Sequence, residues 1–168
     1  MKVSLFKFNS KGFTLIELLI TLAILGVLGV MIAPVVQIEM QRQKENELRI
    51  ALRDIRKAID AYKAAADSGR IEKAEGASGY PKTLDQLVKG VADKKNAKSS
   101  KIFFLRRIPV DPMTSNNLTK DEINNGIYGW GLRSYASDPD SPVAGDDIFD
   151  IYSTSSGIGL NKIPYAKW

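Results

Sequence analysis

Residues 13–36 form an apolar run of 24 residues that contains one acid, Glu17. As a helix rising 1.5 Å per residue the run spans about 36 Å, enough to cross a bilayer core. It sets the architecture: a helix greasy on all sides comes first, and whatever folds in water follows it. The carboxylate is the anomaly. At membrane depth it costs roughly 2.5–3.5 kcal/mol on insertion scales, so such a group serves a purpose and has a partner. The run is introduced by Lys11-Gly12-Phe13-Thr14-Leu15-Ile16-Glu17-Leu18.

Ahead of it, residues 1–12 carry Lys2, Lys7 and Lys11 and no acid. A secretory signal places its small cleavage residue after the apolar stretch. Here the order is inverted, with Gly12 before that stretch. A cut after Gly12 would remove the charges and keep the helix. The basic start predicts a cytoplasmic N-terminus and an exported C-terminal part. Taking the three leader lysines from the formal +5 leaves +2, so the high isoelectric point gives weak support to nucleic-acid binding. The chain has no cysteine, hence no disulfide and no thiol nucleophile, and no histidine, the commonest general base and transition-metal ligand.

Beyond Pro34, which is expected to bend or loosen the helix by deleting one backbone hydrogen bond, residues 37–66 contain neither Gly nor Pro. Leu48, Leu52, Ile55, Ile59, Tyr62 and Ala66 recur at steps of 3 and 4, one stripe on a helix. Arg49, Arg53, Arg56, Lys57 and Lys63 lie on the other side. With a stop at Asp67-Ser68-Gly69, the N-terminal half is predicted to be one helix of about 54 residues, kinked once. Its stripe needs a cover, and the rest of the chain is the candidate. Thr83 is expected to cap a short helix at residues 84–88, and residues 90–101 to form a mobile surface loop. Residues 127–135 read as a glycine-broken strand and residues 147–153 as the strongest strand. The tail, with Ile158, Leu160, Ile163, Tyr165 and Trp168, is expected to pack down. The predicted class is α+β: a long N-terminal helix, half membrane and half amphipathic, packed against a small C-terminal antiparallel β-sheet.

The octamer at Gly12, with its basic leader and following apolar helix, resembles the start of type IV pilins and pseudopilins. Four later segments resemble the major pseudopilin of type II secretion. These are Tyr80-Pro81-Lys82-Thr83; residues 104–112, with Leu105, Pro109 and Asp111-Pro112; Tyr128-Gly129-Trp130; and Phe149-Asp150-Ile151-Tyr152-Ser153. The resemblance implies cleavage after Gly12 by a membrane prepilin peptidase and methylation of the new N-terminus at Phe13. It also implies a role for Glu17 in filament assembly. The implied division is a leader at 1–12, a membrane and filament-core helix at 13–36, and a periplasmic domain at 37–168. The implied partners are further copies of the chain, other pseudopilins, the inner-membrane assembly platform and the inner membrane itself. The implied function is a structural subunit of a pseudopilus that drives protein export, not an enzyme. A type IV pilus subunit for adhesion or motility is the alternative, and a DNA-binding competence pilin a more distant one.

In one respect the chain departs from that pattern. Major pseudopilins often bind calcium through acidic side chains in the loop after the last strand, but residues 151–168 contain no Asp or Glu, and residues 153–156 offer hydroxyls only. No cofactor is expected, with apolar packing by Ile158, Leu160, Tyr165 and Trp168 in place of the ion. Asp146, Asp147 and Asp150 are what remains for an altered site. Gly126, Gly129 and Gly131 lack the following Lys and helix of a phosphate loop. The aspartates at 138–150 cluster at turns without His or Cys, which favours solvation over acid–base catalysis. No catalytic or metal residue is assigned, and no nucleic-acid partner is expected.

Overall fold

A computed structural model describes residues 12–96 and 100–168, without the side chains of residues 30–35. The leader thus lies outside the described residues up to Lys11, and the kink expected at Pro34 falls among side chains outside them. Helix α1 runs over Leu15–Asp67, 53 residues. It contributes to two compact units, Met1–Met40 and Gln41–Trp168.

The helix ends where the sequence places its stop. Gly69 adopts φ +69°, open to glycine at little cost. Its N–H donates to the Ala66 carbonyl at 3.0 Å and the Arg70 N–H to the Ala65 carbonyl at 2.9 Å. This pair of bonds is a Schellman motif, which satisfies two carbonyls that a helix end otherwise leaves open.

Within the second unit the stripe is the core. Leu48, Leu52, Ile55, Ile59, Tyr62 and Ala66 are all buried, and Ala51, Ala58 and Ala65 widen the band with small side chains. The cover is built from short pieces. Helix α2 (Asp85–Lys89) buries Leu87. Strands β1 (Val91–Ala92) and β2 (Lys101–Ile102) form one antiparallel ribbon, and β3 (Trp130–Arg133) and β4 (Asp150–Ser153) a second. Helix α3 (Lys120–Asn124) lies between them in sequence. Ile108, Trp130, Ile148, Ile151 and Tyr165 complete the core from the C-terminal half. The class is α+β, with two ribbons where one sheet was expected.

Packing around this ribbon explains one glycine and one aspartate position. In the β3–β4 pair Gly131 faces Tyr152, and any side chain on Gly131 would run into the tyrosine ring. Asp111 is fully buried; it accepts the Ser153 hydroxyl at 2.6 Å and the Met113 N–H at 2.8 Å. The Trp130 indole donates to the Pro109 carbonyl at 2.7 Å. The Pro109–Pro112 segment, extended because residues before proline avoid the helical region, is thereby tied to both strands of the ribbon.

Two local expectations need correction. Thr83 makes no side-chain cap; Leu84 occupies the cap position in helical geometry, and α2 begins one residue later than expected. Instead the Gln86 side chain reaches back to accept the Lys82 N–H at 2.8 Å. Residues 90–101 are not simply a loop, since their ends pair as β1 and β2. Asp93 anchors this turn. It accepts from the Arg70 guanidinium at 2.6 Å and from the Lys95 N–H at 3.0 Å.

Two expected outcomes follow from this packing. Ile55→Ala removes a fully buried side chain and should cost about 2–5 kcal/mol in urea unfolding of a soluble form beginning at Gln37, whereas Ile50→Ala, half exposed on the same helix, should stay within about 0.5 kcal/mol. The second concerns acid. The hydrogen bond from Arg70 holds the Asp93 carboxyl below its usual range, against the opposing effect of burial. A carboxyl lowered in the folded state contributes stability that is complete above its unfolded pKa of about 3.9 and is lost as pH falls through the folded value. The thermal midpoint should therefore drop below about pH 4, and Asp93→Asn should lower it at neutral pH and flatten the acid dependence.

Candidate functional site

In the first unit the residues expected to be functional stand together at the start of α1. A side chain added at Gly12 would meet nothing within 4 Å. Phe13 is 75% exposed, and Leu15, Ile16, Leu18, Leu19, Ile20, Leu22, Ile24 and Leu25 are each more than half exposed. Apolar side chains thus face outward on every side of these turns. Among the described residues no helix is long and apolar enough to cross a membrane; the expected span at 13–36 runs into residues 30–35.

Thr14 and Glu17 have the spacing of a capping box, in which a Thr hydroxyl and a Glu carboxylate each accept the other's backbone N–H. Half of it is formed: the Glu17 N–H donates to Thr14 Oγ1 at 3.3 Å. Helix α3 shows the complete version. There the Glu122 N–H donates to Thr119 Oγ1 at 3.3 Å and the Thr119 N–H donates back to Glu122 Oε2 at 2.7 Å. Those bonds hold the Glu122 carboxyl below its ordinary range. The Glu17 carboxylate makes no such return bond and has no partner among the described residues. Capping therefore does not use it up.

In the second unit two polar side chains of α1 hold the tail. Glu45 is 5% exposed and lies one step before Leu48 on the apolar stripe. Its Oε1 accepts the Leu160 N–H at 2.8 Å, the Tyr165 hydroxyl at 3.1 Å and the Gln41 amide at 3.1 Å. Burial pushes the Tyr165 hydroxyl above its usual range; the Gln41 amide works against this and the Glu45 carboxylate adds to it. Three turns along, Arg56 donates to Asp150 at 2.7 Å, to the Ile151 carbonyl at 3.1 Å and to the Trp168 carbonyl at 2.9 Å. Arg49 sits 4.5 Å above the Trp168 ring, and Trp168 meets Tyr165 edge to face. The tail closes on itself as well, through the Gly159 N–H to the Ile163 carbonyl at 2.9 Å and the Trp168 indole to the same carbonyl at 3.2 Å.

Tyr165 and Trp168 thus cover the stripe as expected. Ile158, Leu160 and Ile163 do not pack down as expected: they are 60%, 42% and 45% exposed, and the backbone of Leu160 rather than its side chain makes the contact. Neither Glu45 nor Arg56 was singled out from sequence as a tail anchor. A signal existed for Glu45, since stepping back by 3 from Leu48 lands on it and a polar residue there must be hydrogen-bonded when buried.

Calcium takes six to eight oxygens, with carboxylates prominent, and the carboxylates nearest the tail are already engaged. Asp150 is engaged by Arg56 and lies 3.6 Å from Arg133, so cations occupy its surroundings. Asp147 accepts from the Ser134 hydroxyl at 2.8 Å and the Tyr135 N–H at 2.9 Å. Burial acts to raise its carboxyl, but hydrogen bonds from Ser78, Tyr135 and Ser134 outweigh that and leave it below the usual range. Among the described residues no three His, Cys, Asp or Glu side chains are grouped to hold a metal.

Residues 7–33 match the family model described as the prokaryotic N-terminal methylation motif. Over 108 residues, covering 62% of this chain and 68% of the relative, the sequence is 33% identical to the type II secretion system core protein G of Pseudomonas aeruginosa. No solved structure matches.

Glu45→Ala should leave the Leu160 N–H and the Tyr165 hydroxyl short of an acceptor, at a cost of about 1–3 kcal/mol. A soluble form beginning at Gln37 should melt at a lower temperature as a result, and limited proteolysis should cut first within residues 154–168. EDTA should leave the midpoint of the unmutated form where it was; a fall of several degrees would mean that an ion, not this carboxylate, secures the tail.

Proposed function

The chain belongs to the family of type II secretion system core protein G, a pseudopilin family of the type IV pilin superfamily, and we propose that it is the structural subunit of a secretion pseudopilus. A prepilin peptidase removes residues 1–12 after Gly12 and methylates the amine of Phe13. The helix at 13–36 holds the subunit in the bacterial inner membrane in a single pass, with Lys2, Lys7 and Lys11 cytoplasmic before cleavage. The domain at 37–168 lies in the periplasm. The inner-membrane assembly platform then extracts the subunit and stacks it with its own copies and other pseudopilins. The growing filament helps drive proteins across the outer membrane. The subunit performs no catalysis and needs no ion for its tail.

One observation carries this reading. Within the stretch that matches the methylation motif, the first turns of α1 present apolar side chains on every side and one carboxylate that capping leaves unpartnered. Such a surface is stable in lipid or against other helices of the same kind. In a filament the nearest repeated cation is the methylated Phe13 amine of a neighbouring subunit. Pairing with Glu17 fixes axial register, which an apolar helix alone would leave free to slide.

The test separates charge from capping. Glu17→Gln keeps a residue competent for a capping box but removes the charge; Glu17→Val removes both. Both variants should insert and lose the leader, checked by mass, and both should fail to form filaments or export protein, since stranding one member of a buried pair costs on the order of 3–5 kcal/mol. Normal assembly of Glu17→Gln would show that its charge is not needed. Gly12→Leu should insert with its leader retained and make no filaments. N-terminal sequencing that found wild-type mature chains starting at Met1 or Lys2 would overturn the processing scheme.

A further inference from the structure

We propose that a groove beside the tail clasp receives the acidic loop of a second copy of this chain. The inference rests on the filament reading above and names a contact that would build the filament.

The groove encloses about 480 Å³ between Arg49, Arg53 and Lys57 of α1 and Ile163, Lys167 and Trp168 of the tail. Arg56 also lines it but is committed to Asp150 and to the carbonyls of Ile151 and Trp168. Arg53, Lys57 and Lys167 make no ion pair among the described residues, and Arg49 is engaged only with the Trp168 ring. Against these four cations the lining holds one acid, Asp60. Ile163, 45% exposed, and the face of Trp168 add apolar surface. A surplus of like charge packed beside exposed apolar groups is unfavourable in the free subunit and suits an anionic partner with an apolar tip.

The chain carries such a partner at residues 137–146. Asp138, Asp140 and Asp146 are exposed and make no ion pair among the described residues. Val143 and Tyr135 beside them are each 63% exposed. The loop is held in shape from within. The Val143 N–H donates to Ser137 Oγ at 2.8 Å, the Asp140 N–H to Asp138 at 2.8 Å and the Ser134 N–H to the Val143 carbonyl at 3.0 Å. Its acids are therefore presented with little ordering left to do on binding.

Position argues for a second copy rather than self-filling. In its own subunit the loop is anchored where Tyr135 stacks on Tyr80, with Lys63 5.5 Å from the Tyr80 ring. The groove lies at residues 49–57 of the same helix, roughly 9–21 Å earlier along its axis at 1.5 Å per residue. Two different patches that fit each other make a heterologous contact, and repetition with an axial offset gives an open helix rather than a closed ring.

Charge reversal with rescue in full-length protein tests the contact. Arg53→Glu with Lys57→Glu, or Asp138→Lys with Asp140→Lys, should each cut the filament mass pelleted from cells at least tenfold, with subunit levels and leader cleavage unchanged. Combining the four substitutions should restore most of it, which misfolding would not allow. The native chain has no cysteine, so Arg53→Cys with Asp140→Cys introduces the only thiols. Oxidation should yield a ladder of linked subunits, while either cysteine alone yields at most dimers. Normal filaments from the groove reversal, or no ladder from the cysteine pair, would overturn this contact and leave the filament reading standing. Absence of filaments from the wild type would overturn both. Binding of duplex DNA or of anionic phospholipid vesicles that is lost in Arg53→Glu/Lys57→Glu while filaments persist would assign the groove to that ligand instead.

Discussion

Burial of one stripe of α1 by the C-terminal half is the interaction on which the second unit depends. Its cover is made of two-strand ribbons, single helical turns and extended segments, none long enough to be stable alone. What these pieces share is a common floor at Leu48, Leu52, Ile55, Ile59 and Tyr62. Each fully buried aliphatic side chain of that floor is worth about 1.5–3 kcal/mol. Small residues between the large ones, at Ala51, Ala58 and Ala65, let the cover approach closely. The helix therefore acts as the template and the rest of the chain as its sheath.

Apolar burial does not by itself fix where a short tail ends up. Direction comes from charged groups at two levels of the helix. Glu45 accepts from the backbone and side chain of residues 160–165, and Arg56 donates to β4 and to the last residue. Both are hydrogen-bonded to several partners; for Glu45, 5% exposed, this is the condition under which a polar group can be buried, whereas the Arg56 side chain is 37% exposed. A carboxylate reaching in from the helix thus gives the tail an anchor that its own sequence, free of Asp and Glu after residue 150, does not contain.

The long elements were legible in the sequence and the short ones only in outline. A step of 3 and 4 sustained from Leu48 to Ala66 leaves little choice but a helix with one dry face, and Gly69 marks its end. Strands of two to four residues carry too few alternations to fix their limits. Residues 147–153 therefore read as one strand although only Asp150–Ser153 pair with β3. Thr83 failed as a cap because the helical geometry of Leu84 moves the helix start past its reach. The polar clasp was harder still. Glu45 and Leu160 are 115 positions apart, and nothing local in a sequence reports a hydrogen bond between a side chain and a distant backbone N–H. The motif at residues 12–17 was the reverse case: it is contiguous, so a sequence comparison can find it without the fold, and residues 7–33 match the methylation-motif family model.

Glu17 and Glu45 sit on the same helix and have opposite fates. Glu45 is enclosed by its own chain and finds three donors there. Glu17 keeps the start of the helix through its backbone N–H alone, while its carboxylate has no partner among the described residues. The Thr119–Glu122 box shows that this chain can close such a motif fully when capping is the whole purpose. At Thr14 the box is left half made, so a charge remains at the head of an apolar helix. In water that would cost little; in lipid or in a packed helical core it demands a cation. Under the proposed processing, the chain gains that cation when its leader is removed, as the new amine at Phe13. On the proposed reading, cleavage and assembly are thus coupled by charge, because the peptidase that frees the helix also creates the group that a neighbouring Glu17 needs.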